Sequence, residues 1–402
     1  MGGDRVPVPP ATRDPVAMAA LMAALDAGDG ATRYIGGWVR DTLLGLAPDD
    51  IDCATRLEPE AVVARLKTAG LPHWSTPTMI AHGTVTATAG GHPTEITTLR
   101  RDVTTDGRRA TVAFTTDWAE DAARRDFTIN ALSADPLTGA VHDYFDGLGD
   151  LAAGLVRFIG DPLTRIAEDH LRLLRFFRFH ARFGRGAPDA ASYDACVARA
   201  NDLMALSRER IAGELTKLLA VADPVPAVRL MLEGQVLRPV LPEIDGAGLD
   251  RLARLVAREG EAGVAGDPVR RLAALVPADA AAGIARRLKL SKAIEQRLVL
   301  AGKGEVAPRP LHTAFEIGGL ATADRILLGD GPVADAAAVL DWTRPRLAIG
   351  GGDLIARGLT AGPQVAATLK AVERIWVAED FPGEARQAEI ADAAVRAVME
   401  RG

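Results

Sequence analysis

The chain has 402 residues, of which 25% are charged and 48% hydrophobic, with a net charge of −6. That length suits about two to three domains. The acidic balance excludes a globally basic nucleic-acid binder, so any such surface is local. Two cysteines, Cys53 and Cys196, exclude a disulfide framework and fit a reducing cytoplasm. No apolar stretch reaches the ~18 residues of a membrane helix, so no membrane partner is expected.

Residues 1–16 mix charges and prolines without an apolar signal core and read as a flexible arm. From 17 to about 150, helical and strand patterns alternate. Ala19 to Leu25 reads as helix, and Arg33 to Ile35 as a strand entering the Gly36-Gly37 turn. Val39 to Leu44 starts another helix, Ile51 to Ala54 a strand, and Pro59 to Thr68 an amphipathic helix. Thr84 to Thr88 and Glu95 to Leu99 are alternating and β-branched around Gly90-Gly91, which predicts a hairpin. After Asp150 the strand signals fade. Pro162 to Phe183, Arg208 to Leu219, Pro224 to Glu233, Leu249 to Arg258 and Leu354 to Ala378 predict an all-helical remainder. Loops are expected near Gly184 to Pro188, Gly260 to Pro268 and Gly302 to Pro310.

The most informative run is Gly36-Gly37-Trp38-Val39-Arg40-Asp41 followed by Asp50-Ile51-Asp52. Glycine lets backbone approach a ligand, a following helix start offers free N–H groups to phosphates, and Arg40 adds charge-assisted contact. Strand alternation points Asp50 and Asp52 to one face and Ile51 to the other. Two carboxylates so placed repel each other unless a cation pairs them. Glu95 opens a strand of otherwise neutral residues and is the candidate third carboxylate. In Arg124-Arg125-Asp126-Phe127-Thr128-Ile129-Asn130, the polar residues interrupt an apolar segment, and Arg125 can reach a phosphate or ribose.

A single helix is expected through Arg165 to Arg182, with Asp169, Arg172, Arg175, Arg178 and Arg182 forming a polar ridge. An arginine ridge beside aromatics favours planar recognition of phosphate or a base. His170 and His180 fit no metal-ligand pattern. Arg100 to Arg109, with a turn at Asp106-Gly107 ahead of Arg108-Arg109, reads as a flexible loop. Residues 281–309 carry seven cations against Glu295 and Glu305, which suits either a phosphodiester backbone or a solvated helical face.

In this order the motifs resemble the bacterial class II tRNA nucleotidyltransferase and poly(A) polymerase family, within the polymerase-beta-like nucleotidyltransferases. The matching pieces include the Gly36 to Asp41 and Asp50 to Asp52 runs, Glu95 to Arg100, Asp106 to Arg109 and Arg124 to Leu132. They continue with Phe145-Asp146-Gly147, Glu168-Asp169 with Arg172 and Arg175, and Arg208 to Ile211 with Glu214. Together they span about residues 33 to 220; beyond that only compatible helicity is seen.

The resemblance implies an α+β chain: a polymerase-beta-like head with a small mixed sheet, then an all-helical neck, body and tail. The expected divisions are arm 1–16, head 17–155, neck 156–225, and body and tail 226–402. It implies metal-binding Asp50 and Asp52, with Glu95 as a further catalytic carboxylate and two Mg²⁺ ions. It implies nucleotide contacts at Gly36, Gly37, Arg40 and Arg125. Asp169 and Arg172 are expected to face the incoming base, with Arg175 and Arg178 near its phosphates or sugar. Asp106, Gly107, Arg108 and Arg109 correspond to a loop that reshapes the pocket between C and A addition. The family adds C, C and A to the tRNA 3′ end from CTP and ATP without a template. The expected partners are therefore the tRNA 3′ end and acceptor stem, with no obligate protein partner. His312 is the one histidine after His180, so the His-Asp phosphohydrolase domain of some members is not expected. Glu384 to Gly402 has mixed charge, unlike the basic tail of poly(A) polymerases. A poly(A) polymerase, a partial CC- or A-adding enzyme and a non-catalytic RNA-binding protein are the alternatives.

Overall fold

β-Branched residues and two-residue alternation place nine short strands in the first part of the chain. They are β1 (Thr32–Ile35), β2 (Asp52–Thr55), β3 (His73–Trp74), β4 (Thr84–Ala89), β5 (His92–Thr98), β6 (Arg100–Asp106), β7 (Arg109–Phe114), β8 (Ser133–Ala134) and β9 (Val141–His142). The structure is a computed structural model that describes residues 5–11, 13–48, 50–106, 109–302, 306 and 308–400. Seven strands form one mixed sheet in the order β3-β4-β5-β2-β1-β8-β9, and β6 and β7 form a separate ribbon. The β4–β5 hairpin turns at Gly90 and Gly91, both at positive φ. The one parallel pairing in the sheet joins β2 to β5; β1–β2 and β4–β5 are antiparallel.

Because alternate residues point to opposite faces, register sorts the side chains. Cys53, Ile96 and Val85 are register neighbours and all lie fully buried on one face. On the other face Asp52 and Glu95 are register neighbours, and both are exposed. One half of that second face is closed by a small core of Ile35, Ala54, Leu99 and Trp118. The other half is left to the carboxylates.

The segment expected as a loose arm is docked where it is described. Arg5 bridges to Ala140, and the Val6 amide donates to the Gly139 carbonyl at 2.9 Å. Val6 is buried, and the first helix starts at Pro15, capped by Asp14. An apolar residue with a satisfied amide is what anchors it.

Among the described residues every named strand precedes residue 143, and the rest is helical. The expected helix through 165–182 is two helices, Pro162–Glu168 and Leu171–Phe183. Asp169 is the break: its backbone is extended, its Oδ1 accepts from the Leu171 amide at 3.1 Å, and its carbonyl accepts from the Arg172 amide at 2.9 Å. These local bonds offer the backbone an alternative to helix. Leu171–Phe183 then buries Leu173, Phe176, Phe177 and Phe179. Phe176 and Phe179 gather with Phe127 and Phe158, at ring separations of 4.9 to 6.4 Å. Aromatic packing at such separations adds to area burial and fixes this helix against the Phe127 segment.

Contacts divide the chain into residues 1–242 and residues 243–402. The second unit is helical. One of its cores gathers Phe315, Leu354, Leu359, Val372, Trp376 and Ile390. The helix expected over Leu354 to Ala378 is likewise two, Gly351–Ala356 and Pro363–Ala378, because Pro363 can start a helix but not continue one. No helix among the described residues is long and apolar enough to cross a membrane.

Candidate active site

Asp50 precedes β2, Ile51 is buried, and Asp52 opens the strand, so the alternation expected from sequence is observed. The parallel register sets Asp52 directly opposite Glu95. Although Asp52 has surface open to solvent, desolvation by the protein packed around it raises its carboxyl from the ordinary value, and the charges of Glu95 and Asp50 push it the same way; Arg125 opposes them. Three acidic groups therefore share one field with one cation. All are hard oxygen donors, the kind that suits Mg²⁺, which is ordinarily held by one or two carboxylates together with substrate phosphates. Asp50 and Asp52 fit that requirement. Among the described residues no group of three or more His, Cys, Asp or Glu side chains is already gathered to hold an ion.

The glycine turn stands beside this face. Gly36 has φ +62° and ψ −123°, a conformation closed to residues with a side chain. A Cβ there would also sit 3.0 Å from Arg125 Nη1. Gly36 is anchored by donating its N–H to the Leu132 carbonyl at 2.9 Å. Arg125 thus lies over the turn and within the field of Asp52. Its other nitrogen pairs with Asp121 at 3.2 Å, and Arg124 pairs with the same carboxylate at 2.8 Å. Burial alone would raise the Asp121 carboxyl, but the two arginines hold it below the usual range.

Arg40 is used differently from expectation. It is 5% exposed, turned onto Asp41 at 2.5 Å, and stacked on Phe183 at 4.2 Å. Its Nη1 donates to the Asn130 side chain. Asn130 in turn donates to Asp126 Oδ1 at 2.8 Å, and Arg175 pairs with Asp126 Oδ2 at 2.5 Å. One hydrogen-bonded chain therefore runs from the glycine-turn helix through Arg40, Asn130 and Asp126 to Arg175. Burial works to raise the Asp126 carboxyl, yet Arg175, Asn130 and the Phe127 amide together hold it below the ordinary range.

The arginine ridge is not a row of unpartnered cations. Arg172 pairs with Glu168 and also donates to the carbonyls of Arg165 and Arg124. Arg178 pairs with Glu214 at 2.7 Å, and Arg182 with Asp41 at 3.0 Å. Asp169 lies off the helix and is gripped by Arg210, at 3.0 and 2.8 Å to its two oxygens. The expectation that Asp169 and Arg172 sit three apart on one helical face is corrected by that break. Arg210, Glu214 and Asp121 were missed as partners. The Arg208 to Glu214 motif was legible, but nothing local says which residues it faces.

At the expected loop, Asp106 and Arg109 are register partners closing the β6–β7 ribbon; Gly107 and Arg108 lie outside the described residues. The cationic excess over 281–309 is largely internal. Arg297 pairs with Asp324 and Asp267, Arg287 with Glu243, Arg286 with Glu295, and Arg309 with Asp380.

Residues 32–157 match the poly A polymerase head domain, and residues 188–247 match the probable RNA and SrmB-binding site of polymerase A. Among curated proteins, the mitochondrial CCA tRNA nucleotidyltransferase 1 of Danio rerio is 33% identical over 363 residues, covering 86% of this chain and 83% of the relative. The CCA-adding enzyme of Lacticaseibacillus paracasei is 30% identical over 394 residues, covering 91% and 93%. The crystal structure of Bacillus stearothermophilus CCA-adding enzyme in complex with CTP matches with a TM-score of 0.74 at 26% identity, over 96% of this chain and 99% of that one. The chain belongs to the CCA tRNA nucleotidyltransferase and poly(A) polymerase family.

Proposed function

We propose that the protein adds C, C and A to the 3′ end of tRNA from CTP and ATP, without a nucleic-acid template, releasing pyrophosphate. The observation that carries this reading is the shared sheet face. Asp50, Asp52 and Glu95 stand together there beside a turn that admits only glycine, with Arg125 over it. The names of full-length relatives support it.

Asp50 and Asp52 would hold Mg²⁺, with Glu95 beside them; when bound, the ions lower the pKa of the attacking 3′-hydroxyl and neutralise the triphosphate. The chain's own groups do the rest. Gly36 and Gly37 leave room for the triphosphate to approach backbone. Arg125 donates to phosphate or ribose. Asp169 accepts from the exocyclic amine of C or A, while Arg172, oriented by Glu168, donates to the adjacent ring acceptor. U and G present a carbonyl and a ring N–H at those places, so both contacts are lost. Arg40 acts as a strut that fixes the glycine turn against the neck helix, and Arg175 and Arg178 flank the nucleotide. In this reading residues 17–155 are the catalytic head, 156–225 the base-selecting neck, and 226–402 the tRNA-binding body and tail. The ribbon turn at Asp106 to Arg109 assists the change from C to A. Free, buried Cys53 and Cys196 fit a reducing compartment such as the cytoplasm.

The test is incubation with tRNA lacking its 3′ CCA. CTP alone should give CC ends, ATP alone none, and both together CCA. Long A tails from ATP alone would instead make the protein a poly(A) polymerase.

A further inference from the structure

The sequence predicts one helix carrying both Arg165 and Arg172, and the break at Asp169 puts them on two. A helix leaves its last carbonyls without partners of its own. Two such ends meet beside the base-selecting pair. At the end of Pro162–Glu168, the Arg165 carbonyl accepts from Arg172 Nη1 at 3.1 Å. At the end of Trp118–Ala123, the Ala123 carbonyl accepts from Arg165 Nη2. The next carbonyl, that of Arg124, accepts from Arg172 Nη2 at 3.1 Å. Consecutive carbonyls of the head segment therefore hold both arginines.

All three nitrogens of the Arg165 guanidinium are engaged. Nε donates to the Ile159 carbonyl at 2.9 Å, Nη2 to the Ala123 carbonyl, and Nη1 to Glu168 Oε2 at 2.8 Å. Arg172 Nη1 donates to that same Glu168 oxygen. Glutamate is a flexible side chain, and tied to Arg172 alone it would follow that arginine rather than hold it. Arg165, anchored on two backbone carbonyls, makes the shared oxygen a fixed point. Among the described residues, three of the five N–H groups of Arg172 are taken by these acceptors, which leaves Nε–H and one Nη2 hydrogen for a base.

Ala123 and Arg124 also belong to the segment in which Asp121 grips Arg124 and Arg125, and Arg125 lies over the glycine turn. The arginine offered to the base and the arginine offered to the phosphates are thus tied to one stretch of backbone. We infer that Arg165 is a positioning residue for base selection: it touches no nucleotide, and by locking Glu168 onto the carbonyl end of Trp118–Ala123 it fixes where Arg172 stands relative to the phosphate site. Choosing C and A over U and G needs both edge contacts at once, so an Arg172 free to shift loses the right base more than the wrong one. The inference rests on the proposed activity and adds a determinant of its specificity that lies outside the nucleotide contacts.

The test measures kcat and KM for CTP, ATP, UTP and GTP on tRNA lacking CCA. The proteins are the parent, Arg165→Ala, Arg165→Lys, Arg172→Ala and the Arg165→Ala, Arg172→Ala double variant. Inhibition by pyrophosphate is read alongside, because pyrophosphate reports on the phosphate site and carries no base. Arg165→Ala should raise the KM for CTP and ATP about tenfold and cut the kcat/KM preference over UTP and GTP by about the same factor. Its kcat and pyrophosphate inhibition constant should stay within about twofold of the parent. Arg165→Lys keeps the charge beside Glu168 but not the fork, and should lose preference in the same direction by about threefold. In the Arg172→Ala background, Arg165→Ala should change the preference by less than about twofold, because the group it positions is gone. Equal slowing of all four nucleotides overturns the role and leaves Arg165 a structural residue, as does an additive effect in the double variant. A pyrophosphate constant that rises with KM overturns it by placing Arg165 on the phosphates. If Arg165→Ala does not fold, Arg165→Lys with the parent's preference overturns it. A parent that adds neither C nor A overturns the proposed activity itself, an outcome distinct from all of these.

Discussion

In the second unit Arg270 is 2% exposed, and its partners Glu259 and Asp324 are 2% and 0% exposed. Arg271 closes on Glu259 at 2.9 Å and Arg297 on Asp324 at 2.6 Å. In the first unit the chain through Arg40, Asn130 and Asp126 starts equally deep, but it ends on side chains that reach solvent: Arg175 is 31% exposed and Arg182 45%. Both regions solve the same problem, since a buried charge must be paired and hydrogen-bonded. The second network buries its central groups and holds helices together, and its outermost members, Arg297 and Asp267, are 15% and 26% exposed. The first leaves its last groups facing outward, next to the glycine turn and the carboxylate face. Pairing alone therefore does not distinguish a scaffold from a site; where the network ends does.

The sharpest way to test the contrast is at the carboxylates. Asp50→Ala or Asp52→Ala should reduce nucleotide addition by roughly 10³-fold. The melting temperature should not fall, because Asp52 gains nothing from Glu95 and Asp50 but repulsion. Near-normal turnover in either variant would remove both from the chemistry.

Asp324→Ala should behave in the opposite manner. It leaves Arg270 and Arg297 facing an empty place in a buried setting, which costs about 3–5 kcal/mol. Denaturant unfolding should record that loss, while turnover per folded molecule holds. A drop in kcat without a drop in stability would erase the distinction between the units.

Asp126→Asn lies between the two. It weakens the grip on Arg175 and removes the acceptor charge beside Asn130, so a loss of about 1–3 kcal/mol is expected. The KM for CTP and ATP should rise about tenfold through misplaced Arg175 and Arg40. The folded carboxyl is held low, so its contribution is present above the unfolded carboxylate pKa and is lost as pH falls through the folded value. Stability curves of parent and variant should therefore separate above about pH 4 and converge in acid. Parallel curves would mean that the Asp126 charge contributes nothing.

Arg210→Ala should have the smallest effect, about a tenfold loss of discrimination against UTP and GTP, with little change in stability. The reason is that Arg210 holds both oxygens of a part-exposed Asp169. Incorporation of all four nucleotides is the measurement, and unchanged selectivity would show that Asp169 is positioned without Arg210.

Much of the carboxylate face was legible because its signals are local. Strand alternation has a period of two, so Asp50, Ile51 and Asp52 announce their faces without reference to the rest of the chain. The Gly90-Gly91 hairpin did the same for β4 and β5. Glu95 needed one further fact, the parallel pairing of β2 with β5, which chain order does not dictate. The break at Asp169 was hidden because its apolar neighbours keep a helical period on both sides. What ends the helix is a side chain bonding to the backbone two residues on, together with a distant arginine.

Residue order alone was therefore enough to determine the class of fold, the carboxylate pair, the glycine turn and the change from a mixed sheet to helices, each of which depends on neighbours within a few positions. Only the tertiary structure decided which charges are available. Arg182 meets Asp41 across 141 positions, Arg175 meets Asp126 across 49, and Arg178 meets Glu214 across 36. An arginine's periodicity fixes the side of the helix it leaves from. Its partner depends on which distant backbone packs there, and burial then makes pairing obligatory because an unpaired buried charge is so costly.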